Sequence, residues 1–355
     1  MIEQYLNDLV AIPSYGGEEI KVADYLADRL GSLKTHRLSV ENYSEHGRSI
    51  LLMPEQPSVI LDAHLDTVPP GDTAEWKNAP FAVTDRDGSL HGLGVLDDKV
   101  NIALCLELLA TVDCSRVGFV FAGGEEVSAL GLHSLLSKKL IPKAQFAIAL
   151  EATQLQIMTA HKGAVHLHLD FAGQAAHSSK PSLGINAIEK ASSFIQLLEQ
   201  KKDSFALPHP LLGSTTMTVV KITGGDALNR VPAGCALDID VRLLPGQSED
   251  QVKTWIANLL QAAGLNAAII TDSFAPAMEY RGDKAWLEKL QQSGAGQTGT
   301  VPYWTHSALY EQYSIPSVVF GPGDVSTAHT PRECIENSQL EQAYSILQQF
   351  IQRLS

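Results

Sequence analysis

The stretch Val59 to Pro69, V-I-L-D-A-H-L-D-T-V-P, decides how the chain is read. Val59, Ile60 and Leu61 form a short apolar run that reads as a buried strand, and Asp62, His64 and Asp66 follow at alternate positions. Successive strand side chains point to opposite faces, so the spacing predicts that these three polar groups share one face. Pro69 and Pro70 stop the strand. An imidazole backed by a carboxylate then stands at the carboxyl edge, where open α/β sheets bind ligands and where a metal ligand is commonly held. Taken alone, the stretch equally fits a strand whose His and Asp merely satisfy each other.

Neighbouring segments repeat the pattern. Val117 to Ala122 is a second apolar strand, ending in Gly123-Gly124-Glu125-Glu126, and Ala144 to Leu150 is a third, ending in Glu151-Ala152-Thr153. Adjacent acids at the end of an apolar strand are costly unless positive charge sits between them, although exposed turn acids would look the same. A strand at Ser317–Phe320 leads to Gly321-Pro322-Gly323-Asp324 and then His329, which follows its strand as His64 does. The run His91-Gly92-Leu93-Gly94-Val95-Leu96-Asp97-Asp98-Lys99 resembles a dinucleotide fingerprint only superficially. Asp97 stands where the third glycine belongs, and its carboxylate would repel a pyrophosphate. A tight glycine turn projecting Asp97 at the mouth of a helix from about Val100 to Thr111 is the better reading.

Upstream, an amphipathic N-terminal helix, a second helix from Glu18 to Leu33, and strands near Lys34–Tyr43 and Ser49–Met53 are expected. Asp72 to Leu90 reads as a long loop with a turn at Asp87-Gly88. Strands alternating with helices predict a mostly parallel sheet flanked by helices. From about His161 the period changes. Strands at Val165–Phe171, Thr215–Ile222, Ala236–Leu244 and Ala267–Asp272, with helices at Asn186–Gln200 and Glu249–Ala263, give the order βαββαβ of a ferredoxin-like unit. An α/β domain over residues 1–160 and 274–355, with residues 161–273 inserted, is therefore expected. It closes with a helix at Asp283–Gln292 and another from Ser338.

A chain of 355 residues fits two domains, and a net charge of −14 argues against non-specific nucleic-acid binding, which needs a basic face. The N-terminus carries acids and no leader pattern, and no apolar run reaches membrane-spanning length, so a cytoplasmic protein without a membrane partner is expected. Cys105, Cys114, Cys235 and Cys334 lack C-x-x-C spacing, so a metal site must use His and carboxylates. His64, Asp66, Asp97, Glu125, Glu126, Glu151 and His329 suit two cations of zinc or a neighbouring divalent metal, with one carboxylate able to bridge and one left as a base.

These residues, with G-L-G-V-L-D-D-K at 92–99, G-Q-A-A-H-S-S at 173–179, G-G-D-A-L-N-R-V-P at 224–232, D-V-R-L-L-P-G at 240–246 and G-P-G-D-V-S-T-A-H-T-P at 321–331, carry a resemblance. Nearly end to end, the chain resembles the co-catalytic zinc amidohydrolase and peptidase family that includes acetylornithine deacetylase, succinyl-diaminopimelate desuccinylase, aminoacylase and glutamate carboxypeptidase. The resemblance implies two Zn2+, replaceable by Co2+ or Mn2+, with Asp97 bridging. One ion would take His64 and Glu151, the other Glu126 and His329. It further implies that Asp66 orients His64, that Glu125 is the general base, and that His177 donates to the oxyanion. The bland reading of His177 is a loop histidine. Asn229, Arg242, Thr305, His306 and Gly323 fall at substrate positions, Arg242 being also free to pair structurally with Asp240 or Asp238.

G-L-G-V, H-K-G at 161–163 and the G-P-G-D loop lean toward the acetylornithine/acetylcitrulline deacetylase branch, hence toward an N-acyl amino acid substrate and arginine biosynthesis. His306, in Tyr303-Trp304-Thr305-His306-Ser307, stands where that branch carries an acid; if the acid recognises substrate, ornithine's cationic side chain loses a partner. A dipeptidase, carboxypeptidase or desuccinylase with the same metals is the alternative enzyme. A metal-free binding protein would require a missing ligand or base, and none is missing. The resemblance implies that a homodimer, if one forms, pairs through the inserted domain; the sequence leaves monomer and dimer open.

Overall fold

The computed structural model describes residues 1–354. They form two compact units, Met1–Thr159 with Glu279–Val301 and Thr305–Ser355, and Ala160–Met278 with Pro302–Trp304. Among the described residues no helix is long and apolar enough to cross a membrane.

The first unit is built on a mixed sheet with a parallel centre. Val117–Ala122, Val59–His64, Phe146–Leu150 and Ser317–Phe320 run parallel in that order, with every residue buried, because helices cover both faces of such a sheet. Arg48–Met53 and Arg37–Asn42 extend one side antiparallel, and Ile157–His161 pairs antiparallel with Ser317–Phe320 on the other. Helix Lys99–Thr111 packs against Ile2–Val10, Asn337–Gln352 and strand Val59–His64. It is buried from Lys99 through Leu108, as expected of a helix apolar nearly all round.

Asp72–Leu90 is not an irregular loop throughout. Strands Thr84–Arg86 and Ser89–His91 form a hairpin across Asp87 (φ 54°) and Gly88 (φ 79°), both in the left-handed region that a tight two-residue turn requires. Cys334–Glu336 adds a third strand to it. Neither hairpin segment has an apolar alternation, and the pairing that stabilises them comes from far along the chain. Helices Leu130–Ser137 and Ser307–Gln312 and strands Ile157–His161 and Thr298–Val301 likewise escape a periodicity reading, being only four to eight residues long.

The second unit is a four-stranded antiparallel sheet in the order Thr216–Gly224, Gly234–Leu243, Gly163–Ala172, Ala268–Ala275. Val165, Leu167, Leu169 and Phe171 alternate inward and meet Phe194 and Leu198 of helix Ala187–Lys201 and Ile256 of helix Glu249–Ala262. Asn186 caps the first helix by accepting from the N–H groups of Ile188 and Glu189, and Ser248 opens the second with a capping box to Gln251. On the opposite face Asp238 pairs with His168, and Asp240 with both His166 and Arg242.

At the start of helix Lys99–Thr111, the Lys99 ammonium is buried and donates to the Ile12 carbonyl at 2.6 Å. Burial lowers its pKa to about 7, with Glu333 raising it part of the way back. An unfolded lysine titrates near 10.4, so between about pH 7 and pH 10 the unfolded chain holds the extra proton and stability rises with pH. Relative to Lys99→Met, the wild type is therefore expected to gain stability in urea titrations as pH goes from about 7 to about 9.5. A constant difference would contradict a buried, titrating ammonium.

Candidate metal centre

The site's side chains converge because four parallel strands end at one edge. His64 closes its strand in register with Ala122, so the Gly123–Glu126 turn leaves the sheet beside it. Phe320 is in register with Leu150, which places Glu151 and the segment leading to His329 at the same edge. Asp97 and Asp98 arrive from the turn before helix Lys99–Thr111.

Asp97 is shared. One of its oxygens lies 2.8 Å from His64 Nε2 and the other 3.1 Å from His329 Nε2, and His329 Nε2 is also 2.8 Å from Glu126 Oε1. Two groups of potential ligand atoms result: His64, Asp98 and Glu151, and Asp97, Glu126 and His329. Asp98 is a member that sequence reasoning missed, although it is the second acid of the Leu96-Asp97-Asp98-Lys99 run. Its Oδ2 also accepts from the His64 N–H at 2.9 Å. His64 Nδ1 lies 2.9 Å from the Asp66 carbonyl oxygen, which can only accept, so Nδ1 carries a hydrogen and Nε2 is the ring atom that faces the site. His329 is held at φ 58°, a left-handed conformation costing of order 1 kcal/mol for a side chain of this kind.

The alternation that relates Asp62 to His64 does not extend to Asp66. The strand ends at His64, and Leu65 donates its N–H to the Ala122 carbonyl at 2.8 Å. Asp62 is buried against His306 Nδ1 (2.8 Å) and the Tyr310 hydroxyl. The Asp66 carboxylate accepts from the backbone N–H of Glu125 on one oxygen and of Glu126 on the other, each at 3.0 Å. Glu19 accepts from the Gly124 N–H at 3.1 Å, so two buried carboxylates fix three consecutive amides of the turn. Glu333 does the same for the other loop: its Oε1 accepts from the N–H groups of Gly94, Leu96 and Asp97 at 2.9–3.2 Å. No motif marks Glu19 or Glu333, because the partners they hold are main-chain groups, with the Tyr43 hydroxyl as an added side-chain donor to Glu19.

Electrostatics test whether this donor set fits cations. Burial raises Glu151 and Asp98 well above the usual carboxylate range, and their acidic neighbours add to it. Burial also pushes Glu125 up to about 7, against the lowering influence of His64 and His306. Hydrogen bonds to Asp97 and Glu126 raise His329 to about 10. For His64, burial favours the neutral ring, but Asp66, Asp97 and Asp98 outweigh it and raise the imidazole well above its normal value. The acids thus demand positive charge at two places, and protonated imidazoles meet the demand. Mixed nitrogen and hard-oxygen donors without thiolate suit zinc, cobalt or manganese, and the residues present fit divalent cations.

Other candidates from the sequence are placed as follows. Thr305 and His306 are buried in the first unit; burial lowers the His306 imidazole, and Asp62 with Glu125 more than restores it. Gly323, at φ 89°, donates its N–H to Gln339, and a Cβ there would meet Leu96 Cδ1 at 2.1 Å. In the second unit, exposed His177 accepts the Ser179 N–H on Nδ1 at 3.2 Å, leaving Nε2–H as a donor. Asn229 accepts the Ser178 N–H through its backbone carbonyl, and the Arg242 guanidinium is engaged twice by Asp240, at 2.9 and 3.0 Å.

Residues 60–353 match Peptidase family M20/M25/M40, and the chain belongs to this family. It is a metal-dependent amidohydrolase. Over 311 residues it is 30% identical to the acetylornithine deacetylase of Salmonella typhimurium, covering 82% of this chain and 79% of that protein. The fold resembles an M20 family metallo-carboxypeptidase from Sulfolobus solfataricus, with TM-score 0.78 and 18% identity over 99% of this chain and 98% of the other. It also resembles the Bacillus subtilis YXEP protein, described as a dinuclear metal binding peptidase of the M20 family, with TM-score 0.71 and 16% identity over 99% and 97% of the two chains.

Asp66→Asn keeps one acceptor but turns an amide NH2 toward a backbone N–H. Stability in urea is expected to fall by about 1–3 kcal/mol, and turnover by about 10–100-fold as the Glu125–Glu126 turn loosens. A wild-type rate would mean that the clamp is not what holds the turn.

Proposed function

We propose that this chain is a two-metal deacylase of N-acyl amino acids, acting on acetylornithine or acetylcitrulline in arginine biosynthesis. The observation that carries the reading is Asp97 facing His64 with one oxygen and His329 with the other, beside the uncommitted Glu125. His64 and Glu151, with Asp98 as a further donor, would hold one cation, Glu126 and His329 would hold a second, and Asp97 would serve both; these side chains fall in two clusters of potential ligand atoms. Such cations, when bound, polarise an amide carbonyl and make water acidic enough to attack near neutral pH.

The chain's own groups do the rest. The Glu125 carboxylate takes a proton from the attacking water as the new C–O bond forms. It returns that proton to the amide nitrogen as the C–N bond breaks, yielding a carboxylic acid and a free amine. A group held near pH 7 exchanges protons in both directions with little loss. His177, with its hydrogen on Nε2, is the proposed donor to the carbonyl oxygen, and Asn229 and Arg242 are the proposed contacts for the substrate carboxylate. Thr305, His306 and Gly323 are proposed to line the substrate side. Exposed Val220 and Ile222 on edge strand Thr216–Gly224 support a homodimer through the second unit.

Acetylcitrulline is the second substrate reading; His306 replaces an acid that both the acetylornithine and acetylcitrulline enzymes carry and therefore does not choose between them. A dipeptidase or desuccinylase is the alternative reaction. Purified, zinc-loaded protein assayed on acetylornithine, acetylcitrulline, succinyl-diaminopimelate and a dipeptide panel is expected to show its highest kcat/KM on an acetylated amino acid; a dipeptide in first place would overturn the assignment. Glu125→Gln should lower kcat by about 10²–10⁴-fold with bound metal unchanged by elemental analysis. Retained activity would remove Glu125 as the base.

A further inference from the structure

A cavity edged by basic side chains lies in the first unit, and no metal-centre side chain lines it. It encloses about 210 Å³ between the Thr84–His91 hairpin, the Trp76–Asn78 segment and residues 331–333. Lys77, Arg86, His91 and Arg332 converge on it, with Trp76 as a wall. The indole is fixed by its Nε1–H, which donates to the Pro70 carbonyl at 2.8 Å.

The charge arrangement is unusual for this chain. Acids outnumber bases 40 to 26, so the ordinary neighbour of a basic side chain here is a carboxylate. Among the described residues, Lys77, Arg86 and Arg332 nevertheless form no ion pair, and the side-chain contact Arg86 makes is to another basic residue, with Nη2 3.4 Å from His91 Nε2. His91 registers the crowding: burial lowers its pKa first, then Arg86, with Lys77 adding to it, and Asp87 and Asp85 on the same hairpin do not restore it. The lining acid, Glu333, is buried with Oε1 taken up by three backbone amides. Converging cations around a concavity repel one another until an anion enters, and guanidinium groups offer paired N–H donors to oxyanions.

We propose that this pocket binds a compact, multiply charged oxyanion of the phosphate or polycarboxylate type. The inference is independent of the reaction assigned to the metal centre. Its test is calorimetric titration of the zinc-loaded protein with sulfate, which coordinates zinc weakly, and in parallel with inorganic phosphate and with tricarballylate. One anion per chain is expected to bind, and Arg86→Gln with Arg332→Gln should weaken it at least about tenfold. The control pair Lys21→Gln with Lys143→Gln, which removes equal charge elsewhere on the surface, should leave it unchanged. Tighter binding of phosphate than of tricarballylate would identify the phosphate type, and the reverse order the carboxylate type. Absence of saturable binding of all three probes below about 10 mM, or equal weakening in the control pair, would overturn the proposal.

Discussion

The Asp97 carboxylate, with one oxygen on each of two imidazoles that are 265 residues apart, is the contact around which the first unit is arranged. Negative charge accumulates there because every parallel strand of the sheet's centre delivers its next residues to the same edge. So many carboxylates in so little water are unstable together unless positive charge enters among them. The fold therefore creates a standing requirement for cations, and the hydrophobic strands beneath supply the rigidity to maintain it.

Rigidity is needed most where glycine-rich turns carry the functional groups. The 92–97 and 123–126 turns contain Gly92, Gly94 and Gly124 at positive φ, and such segments have little intrinsic shape. Their geometry comes from carboxylates that accept main-chain hydrogens: Glu333 for the first, Asp66 and Glu19 for the second. Lys99 adds a buried stem beneath Gly94, where a Cβ would come within 3.0 Å of Lys99 Cδ.

Much of this was legible in the residues. Apolar runs such as V-G-F-V-F-A and F-A-I-A-L can only be buried strands, and acids or a histidine at their ends fall at the ligand-binding edge whatever the details. The second unit was equally readable, because its strands alternate and Asn186 and Ser248 mark helix starts. Asp98, Glu19 and Glu333 were not, since a carboxylate that meets backbone amides leaves no trace in side-chain spacing. The partners of Asp62 were also hidden, since His306 and Tyr310 are more than 240 residues away, and strand alternation says nothing about where a strand stops before Asp66.

The Asp66 clamp grips main chain and is indifferent to which side chains the turn displays. Residues 125 and 126 are consequently free to drift in evolution without unravelling the turn that presents them. On the proposed roles of Glu125 and Glu126, a descendant that exchanged both would inherit an intact scaffold with its chemistry switched off, a short path from a catalyst to a protein that only recognises what its ancestor consumed.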